Sequence, residues 1–268
     1  MKSNRIVLLD VGGTFVKSAL GIAGKGAVEG TFMSTPISSN GSAEEITNAF
    51  RTAVSGQVMR AVEEGYSVEA VCAALPGPFD YKKGIFLMKH KFAAVYGVSF
   101  REILGDVIEP DTRLAFVHDV NGALLGALSV DPSLREGNVA MVTLGTGLGF
   151  TYSIDGKVQE SETGSPAKGL WNAPYMEGIL EEYVSRRGIL RLYAQQGGKE
   201  KMSKRSPSAP EMARRQLSRP SLWLEAIWLR VQLSLSQNSA SDISSSEVRS
   251  PGHLTLWRKA SLKAFRKV

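Results

Sequence analysis

Cysteine is almost absent from this chain of 268 residues, since only Cys72 is present. One cysteine excludes a disulfide framework and a cysteine-rich zinc site, and its place in the apolar stretch 68–75 predicts a buried hydrophobic residue. The sequence also lacks a long apolar run, and no signal-peptide core follows Met1. We therefore expect a cytoplasmic protein with no membrane segment, long enough for two domains.

Glycine and acidic residues are scarce in the last quarter of the chain. Residues 203–268 contain one glycine of 27, four Asp and Glu against 12 Lys and Arg, and 14 serines. Residues 1–202 are close to neutral, with 20 basic and 22 acidic side chains. The net charge of +6 therefore belongs to the tail, and the composition predicts that two different kinds of sequence meet near Ser203.

The first informative motif is the stretch 10–17, Asp-Val-Gly-Gly-Thr-Phe-Val-Lys, which follows an apolar strand. A carboxylate and two glycines at a strand end suit a phosphate oxygen or its magnesium ion. Residues 15–20 read as a second strand, so the glycines join a hairpin and do not open a helix as dinucleotide and P-loop motifs do. An ordinary Gly-Gly turn is the alternative interpretation.

The next hundred residues predict an α/β arrangement. Residues 5–36 read as a three-stranded meander, and a capping box at Ser42 begins a helix that ends at Gly65. Residues 68–75 then read as a strand parallel to the first, and residues 100–104 as a short helix. Strands alternating with helices in this order indicate a β–α–β crossover after the meander.

A second acidic strand end follows at Asp119, after the apolar residues 114–118 and before a helix predicted over 121–128. A catalytic base is expected at such a place, although a helix N-cap aspartate is the commoner explanation of this stretch alone. Residues 139–154 then repeat the opening pattern of strand, Gly-Thr loop and strand, with Gly145, Thr146 and Gly147 in the loop. Two such loops can enclose a triphosphate from two sides.

Four motifs together resemble the ROK family (repressor, open reading frame, kinase) of sugar kinases and their relatives. They are the Asp10–Lys17 loop, the Leu-Pro-Gly-Pro segment 75–78, His-Asp-Val-Asn at 118–121, and the glycine loop 143–149 with Asp-Gly-Lys at 155–157. The resemblance implies an α/β, two-lobed actin-like ATPase (ribonuclease H-like) fold whose second lobe is incomplete. The lobes would be residues 1–118 and 119–202, followed by the atypical tail 203–268.

The resemblance also implies a role for each matching residue, with ATP and magnesium as cofactors. Asp119 would accept a proton from a sugar hydroxyl, usually at C6, as its oxygen attacks the γ-phosphoryl group. Asp10 would hold the magnesium ion through water. The remaining cofactor-binding residues form the two phosphate loops: Gly12, Gly13, Thr14 and Lys17 in the first, and Gly145, Thr146 and Gly147 in the second.

The sugar pocket departs from the family pattern. His118 stands where an asparagine usually precedes the catalytic aspartate, and His90 lies where another sugar-binding asparagine is expected. With Gly77 of the Gly-Pro loop, these are the predicted substrate positions. The family's zinc cluster of histidine and cysteines should follow the second loop, but residues 164–175 contain neither residue type. The sequence therefore predicts a zinc-free branch.

The tail lacks the strand ending in Gly-Gly that binds adenine in this family. Read in the alternative codon frame, residues 242–253 are compatible with an apolar run that ends in Gly-Gly, and residues 203–212 with a continuing helix. We therefore hypothesise that the reading frame slips near Ser203. A basic nucleic-acid-binding extension and a partner-binding helix over 222–235 are alternatives.

The sequence favours ATP-dependent phosphorylation of a hexose or N-acetylhexosamine, with a small-molecule sugar as partner and neither nucleic acid nor membrane. A non-catalytic or decayed sugar-binding relative is the alternative. A ROK transcriptional regulator is disfavoured, because no helix-turn-helix precedes the first strand at Arg5. The resemblance further implies a homodimer, provided that the second lobe folds.

Overall fold

A computed structural model describes residues 4–195, and its main feature is a six-stranded mixed sheet. Residues 203–268, and with them the hypotheses of a frame slip, a nucleic-acid-binding extension and a partner-binding helix, lie outside the described residues. The strands are β1 (Arg5–Val11), β2 (Phe15–Ile22), β3 (Gly26–Ala27), β4 (Met33–Pro36), β5 (Val68–Leu75), β6 (Phe79–Asp80), β7 (Ile85–Phe86), β8 (Arg113–His118), β9 (Asn138–Leu144), β10 (Leu148–Ile154), β11 (Lys157–Val158), β12 (Pro174–Tyr175) and β13 (Gly178–Ile179). The α-helices are α1 (Ala43–Glu63), α2 (Phe100–Leu104), α3 (Asp119–Val130), α4 (Glu181–Val184) and α5 (Arg186–Gln195).

The order of the main sheet is β3-β2-β1-β5-β8, with β4 also paired to β2. The pairing of β1 with β2 is antiparallel, whereas β1, β5 and β8 run parallel. The predicted meander and the β–α–β crossover are thus both confirmed. Parallel strands require a long connection, and α1 and the segment through α2 provide the two connections here.

Helix α1 begins where its sequence signal predicts. The Ser42 side chain accepts the Glu45 N–H, and the Glu45 carboxylate accepts the Ser42 N–H, so both halves of the capping box are formed. The helix ends at Glu63, and Gly65 follows with a φ of +76°, a value that glycine adopts without strain.

The hydrophobic core lies between α1 and one face of the main sheet. Alternate residues of β1 are buried, as expected for a strand with one covered face. Phe50 of α1 is fully buried and its ring lies 5.1–5.8 Å from three other phenylalanine rings. Burial of such aromatic side chains dominates the stabilisation of a core of this size. The partners of Phe50 are Phe86, Phe92 and Phe100.

A second, three-stranded antiparallel sheet has the order β11-β10-β9. The turn between β10 and β11 has a φ of +47° at Asp155 and +76° at Gly156, as the predicted Asp-Gly hairpin requires. Helix α3 packs against this sheet, since a Cβ atom on Gly149 would lie 3.3 Å from Val120 Cβ. Helix α3 therefore connects the main sheet to the second one.

Two local predictions were wrong. Helix α3 begins at Asp119, earlier than residue 121, and His118 occupies the N-cap position that the alternative interpretation gave to Asp119. Cys72 is half-buried, because it alternates with the residues of β5 that face the core. Among residues 4–195, no helix has the length and apolar character needed to cross a membrane.

Candidate active site

The centre of the candidate site is the carboxylate of Asp119, where β8 ends and α3 begins. Its Oδ1 lies 2.8 Å from Nδ1 of His118 and accepts the Val120 N–H at 2.7 Å. A nitrogen this close to a carboxylate oxygen must carry a proton, so Nδ1 of His118 is the donor. A protonated Nδ1 cannot also accept the Val120 N–H, although the Val120 nitrogen lies only 3.3 Å away.

Both of these contacts use Oδ1, and this leaves the other oxygen of Asp119 for a ligand. Among residues 4–195, Oδ2 accepts no hydrogen bond, and the side chain is 49% exposed. Burial raises the pKa of Asp119, but the bond from His118, the charge of His118, the Val120 N–H and the charge of Lys91 together hold it below its ordinary 3.8. The carboxylate is therefore ionised at neutral pH and can accept a proton at Oδ2.

Gly77 and His118, two of the predicted substrate positions, lie side by side. A Cβ atom on Gly77 would come within 3.4 Å of His118 Cδ2 and within 3.3 Å of the Tyr81 hydroxyl. The peptide bond between Gly77 and Pro78 is cis. Glycine at this position thus allows the loop after β5 to lie directly against the imidazole ring.

The Tyr81 ring packs beside His118, and Tyr81 was not identified as a site residue from the sequence. Its ring centroid lies 5.8 Å from that of His118, and its hydroxyl donates to the Leu75 carbonyl at 3.0 Å. Burial, followed by the negative charge of Asp119, raises the pKa of Tyr81 well above its usual range. The hydroxyl therefore stays protonated and acts as a fixed hydrogen-bond donor.

The third predicted substrate position, His90, is not joined to this group. His90 is exposed, and within residues 4–195 no hydrogen bond, ion pair or ring contact connects it with the other predicted residues. Lys91, its neighbour, is half-buried and its charge acts on Asp119. The backbone explains this placement, because Phe92 is buried in the core with a φ of +52° and its N–H donates to the Ser39 carbonyl.

Ser39 connects that segment to the first glycine loop. Its N–H donates to the Gly13 carbonyl at 3.0 Å, and a Cβ atom on Gly13 would lie 3.4 Å from its hydroxyl. The Gly12 N–H donates to the Phe15 carbonyl at 2.9 Å and closes the turn. In the described part of the chain, the N–H groups of Gly13 and Thr14 donate no hydrogen bond. Two adjacent N–H groups without a partner can donate hydrogen bonds to an anion such as a phosphate.

The second glycine loop has the same property. Its turn is closed by the Gly145 N–H, which donates to the Gly147 carbonyl at 3.0 Å, and the Leu148 N–H donates to the Glu181 carboxylate at 2.9 Å. Within the described residues, the N–H groups of Thr146 and Gly147 donate no hydrogen bond. Each predicted loop thus offers two consecutive free donors, although no hydrogen bond joins the two loops over residues 4–195.

The register of the main sheet fixes the distance between the two acidic residues. Asp10 pairs with Ala74 of β5, and Ala74 pairs with Val117 of β8, two residues before Asp119. Asp10 and Asp119 are therefore separated by two strand spacings, about 10 Å in the hydrogen-bonding direction. Both residues lie at the carboxyl edge of the parallel strands, which is where α/β folds bind ligands.

Asp10 fits the magnesium role that the resemblance implies. Its carboxylate is 62% exposed at the end of β1, and its Oδ2 lies 3.4 Å from the Lys17 ammonium group. Magnesium retains several waters and takes one or two carboxylates together with substrate phosphates, so a single exposed carboxylate beside a phosphate loop suits it. Across residues 4–195, no three His, Cys, Asp or Glu residues are grouped closely enough to hold a metal by themselves.

No local sequence signal marks Tyr81, Lys91 or Glu181 as site residues. Lys91 was noticed only as part of the basic triplet 89–91, and Glu181 only as part of a helix. All three reach the site through loops and short helices, which carry no periodic pattern. The clue to Glu181 was its position in a segment, 177–185, that resembles the family.

The chain is similar to several proteins of known structure. The glucokinase of Parabacteroides distasonis is 26% identical, with a TM-score of 0.57 over 75% of this chain and 59% of its own. A ROK family glucokinase of Streptomyces griseus, solved with glucose and AMPPNP, is 24% identical, with a TM-score of 0.54 over 72% of this chain and 61% of its own.

A ROK family transcriptional regulator, a homologue of the Escherichia coli MLC protein, is 18% identical, with a TM-score of 0.57 over 74% of this chain and 52% of its own. The chain thus spans about six tenths of the length of the two glucokinases. The sequence matches none of the curated proteins with which it was compared. The chain also shares the actin-like α/β fold of ROK sugar kinases. The ROK family model matches residues 6–215, which is most of the sequence, so this chain belongs to the ROK family.

Proposed function

We propose that this chain carries the site of an ATP-dependent sugar kinase, with Asp119 as the general base. The observation that carries the proposal is the ionised carboxylate of Asp119, whose Oδ2 accepts no hydrogen bond within residues 4–195 and which lies at the same sheet edge as Asp10. A kinase needs little more than an aligned acceptor, donors for the phosphates and a base within hydrogen-bond reach. Both glucokinases support the sugar-kinase class, and the AMPPNP complex supports ATP as the donor.

The reaction follows from these positions. A sugar hydroxyl donates its proton to Oδ2 of Asp119 while its oxygen forms a bond to the γ-phosphorus of ATP. The bond between that phosphorus and the β–γ bridging oxygen breaks, and ADP leaves with the electron pair. The proton then passes from Asp119 to solvent. General-base assistance of this kind contributes roughly a hundredfold to ten-thousandfold to the rate.

The remaining residues bind and orient the reactants. The free N–H groups of the two glycine loops receive phosphate oxygens, and the Lys17 ammonium adds positive charge at the first loop. Asp10 would hold magnesium through water, and an ion bound there would supply positive charge opposite the phosphates. His118 fixes the orientation of Asp119, and Gly77 lets the preceding loop reach the imidazole. The resemblance assigns His90 to the sugar, and a cytoplasmic homodimer remains part of the proposal.

A decayed, non-catalytic sugar-binding relative is the second candidate. One observation favours it, because the composition of the chain changes at Ser203. A slipped reading frame would remove the adenine-binding Gly-Gly strand while leaving Asp119 in place. This candidate predicts sugar binding without turnover.

Release of ADP from ATP and magnesium separates the two candidates. The assay uses a panel of hexoses and N-acetylhexosamines, with this chain beside a version whose residues from 203 onward are restored to the alternative frame. Sugar-dependent ADP release by the restored version alone supports a frame slip in a kinase. Release by the chain as it stands supports a functional tail and refutes the frame slip. Absence of release from both versions refutes the kinase proposal.

A further inference from the structure

Glu181 lies against the second glycine loop, although the proposed chemistry does not use it. Its Oε2 accepts the Leu148 N–H at 2.9 Å, directly after the two free donors Thr146 and Gly147. A Cβ atom on Gly147 would lie only 2.8 Å from the same oxygen, so a side chain there would collide with the carboxylate. Glycine at position 147 therefore leaves the space that the Glu181 carboxylate occupies.

The backbone next to Glu181 holds the other end of the same loop. The Arg186 N–H, at the start of α5, donates to the Gly145 carbonyl at 2.8 Å. The loop is thus fixed from outside at both ends, at Gly145 and at Leu148, by two groups five residues apart in the α4–α5 corner. Only the middle of the loop keeps unpaired N–H groups within the described residues.

Backbone hydrogen bonds hold Glu181 in place. Its N–H donates to the Trp171 carbonyl at 3.1 Å, and the preceding residue, Leu180, is 2% exposed and donates to the Ala173 carbonyl. These two hydrogen bonds join the residues on either side of the β12–β13 hairpin. The carboxylate is mostly buried, with 22% of the side chain exposed.

A carboxylate beside this loop would repel a negatively charged phosphate unless its own charge were offset. The Arg187 guanidinium lies 3.5 Å from Oε1 of Glu181 and offsets its charge, while Oε2 faces the loop. A carboxylate that accepts a backbone N–H forms a stronger bond than a neutral acceptor does. The pair can therefore hold the loop without presenting a full negative charge to a phosphate.

We infer that Glu181 is a positioning residue for nucleotide binding: together with the Arg186 N–H, it fixes the second glycine loop so that the Thr146 and Gly147 N–H groups point at a phosphate. The inference rests on the proposed function, because it assigns a nucleoside triphosphate to this loop. Glu181 contacts neither Asp119 nor its partners among residues 4–195. Its loss should therefore weaken nucleotide binding and leave the sugar side unchanged.

The test compares Glu181→Ala and Glu181→Gln with Glu182→Gln. Gln keeps an oxygen that can accept the Leu148 N–H. Glu182 is a matched control, because its carboxylate accepts the Ile179 N–H at 3.1 Å and does not contact the glycine loop. Two measurements are made on the full chain: amide hydrogen exchange over 145–149 without ligand, and the Kd for ATP with magnesium by calorimetry.

We expect Glu181→Ala to speed exchange at Leu148 and to raise the Kd for ATP, each by about tenfold or more, as loss of a charge-assisted hydrogen bond predicts. Glu181→Gln should stay within about threefold of the wild type, and Glu182→Gln within about twofold. The Kd for a bound sugar should not change in any variant. Unchanged exchange at Leu148 in Glu181→Ala, or a loss of sugar affinity equal to the loss of ATP affinity, would overturn the inference.

The two measurements keep the inference distinct from the proposed function. If neither the chain as it stands nor the frame-restored version binds ATP, the kinase proposal and the nucleotide role of Glu181 both fail, whatever the exchange shows. If the wild type binds ATP but Glu181→Ala binds it equally well, only the positioning role fails.

Discussion

Asp119→Asn is the perturbation that examines the proposed chemistry most closely. The amide retains an oxygen that can accept the His118 Nδ1–H and the Val120 N–H, so the local geometry at 2.7–2.8 Å can persist. The amide cannot accept a proton at the position of Oδ2. Loss of a general base costs about 3–5 kcal/mol in activation free energy, which is roughly a hundredfold to ten-thousandfold in rate.

The same substitution should have little effect on stability. The side chain is 49% exposed, and hydrogen bonds and ion pairs at such positions contribute about 1 kcal/mol or less. The measurement is sugar-dependent ADP release, accompanied by a denaturant unfolding curve for each variant. An active version of the chain is required for the comparison, either as it stands or with the alternative frame restored.

Asp131→Asn is the matched control. Asp131 is an exposed carboxylate directly after α3, and it caps the next turn by accepting the Ser133 N–H at 3.0 Å. It lies at the opposite end of the helix from Asp119, so its neutralisation should leave the rate unchanged. Retention of more than about a tenth of the rate by Asp119→Asn would refute the general-base role.

Two further predictions concern the surroundings of Asp119. Tyr81→Phe removes the hydroxyl that donates to the Leu75 carbonyl at 3.0 Å, so it should lower the free energy of unfolding by about 1–3 kcal/mol in a denaturant titration, with the Kd for ATP unchanged. The depressed pKa of Asp119 predicts that its ionised form stabilises the fold above the ordinary value of 3.8, and that this contribution is lost as pH falls through the lower folded pKa. The wild type should therefore lose more stability than Asp119→Asn on acidification below pH 3.8, and a larger loss in the variant would contradict the assignment.

The sequence predicted the parts of the fold that local chemistry controls. The capping box at Ser42 fixes the start of α1, and the Asp155-Gly156 pair fixes a hairpin turn, because both act within four residues. The Gly12-Gly13 and Gly145–Gly147 loops were located for the same reason. Asp119 follows the end of β8, as predicted, whereas the start of its helix was placed two residues late, because the N-cap is a histidine and not one of the usual capping residues.

The supporting residues could not be predicted because long-range packing places them. Tyr81 reaches His118 only through the path of the loop after β5, and Lys91 approaches Asp119 because the buried Phe92 anchors the neighbouring backbone. Glu181 meets a glycine loop more than thirty residues earlier in the chain. No periodicity or capping signal encodes contacts of this range.

We propose that this site transfers the γ-phosphoryl group of ATP to a sugar. The most direct measurement follows radioactive phosphorus from γ-labelled ATP, with magnesium, into a panel of hexoses and N-acetylhexosamines separated by chromatography. We predict label in at least one sugar phosphate when Asp119 is intact, and none with Asp119→Asn. Label that remains in ATP or appears only as inorganic phosphate, in the chain as it stands and in the frame-restored version alike, would contradict phosphoryl transfer to a sugar.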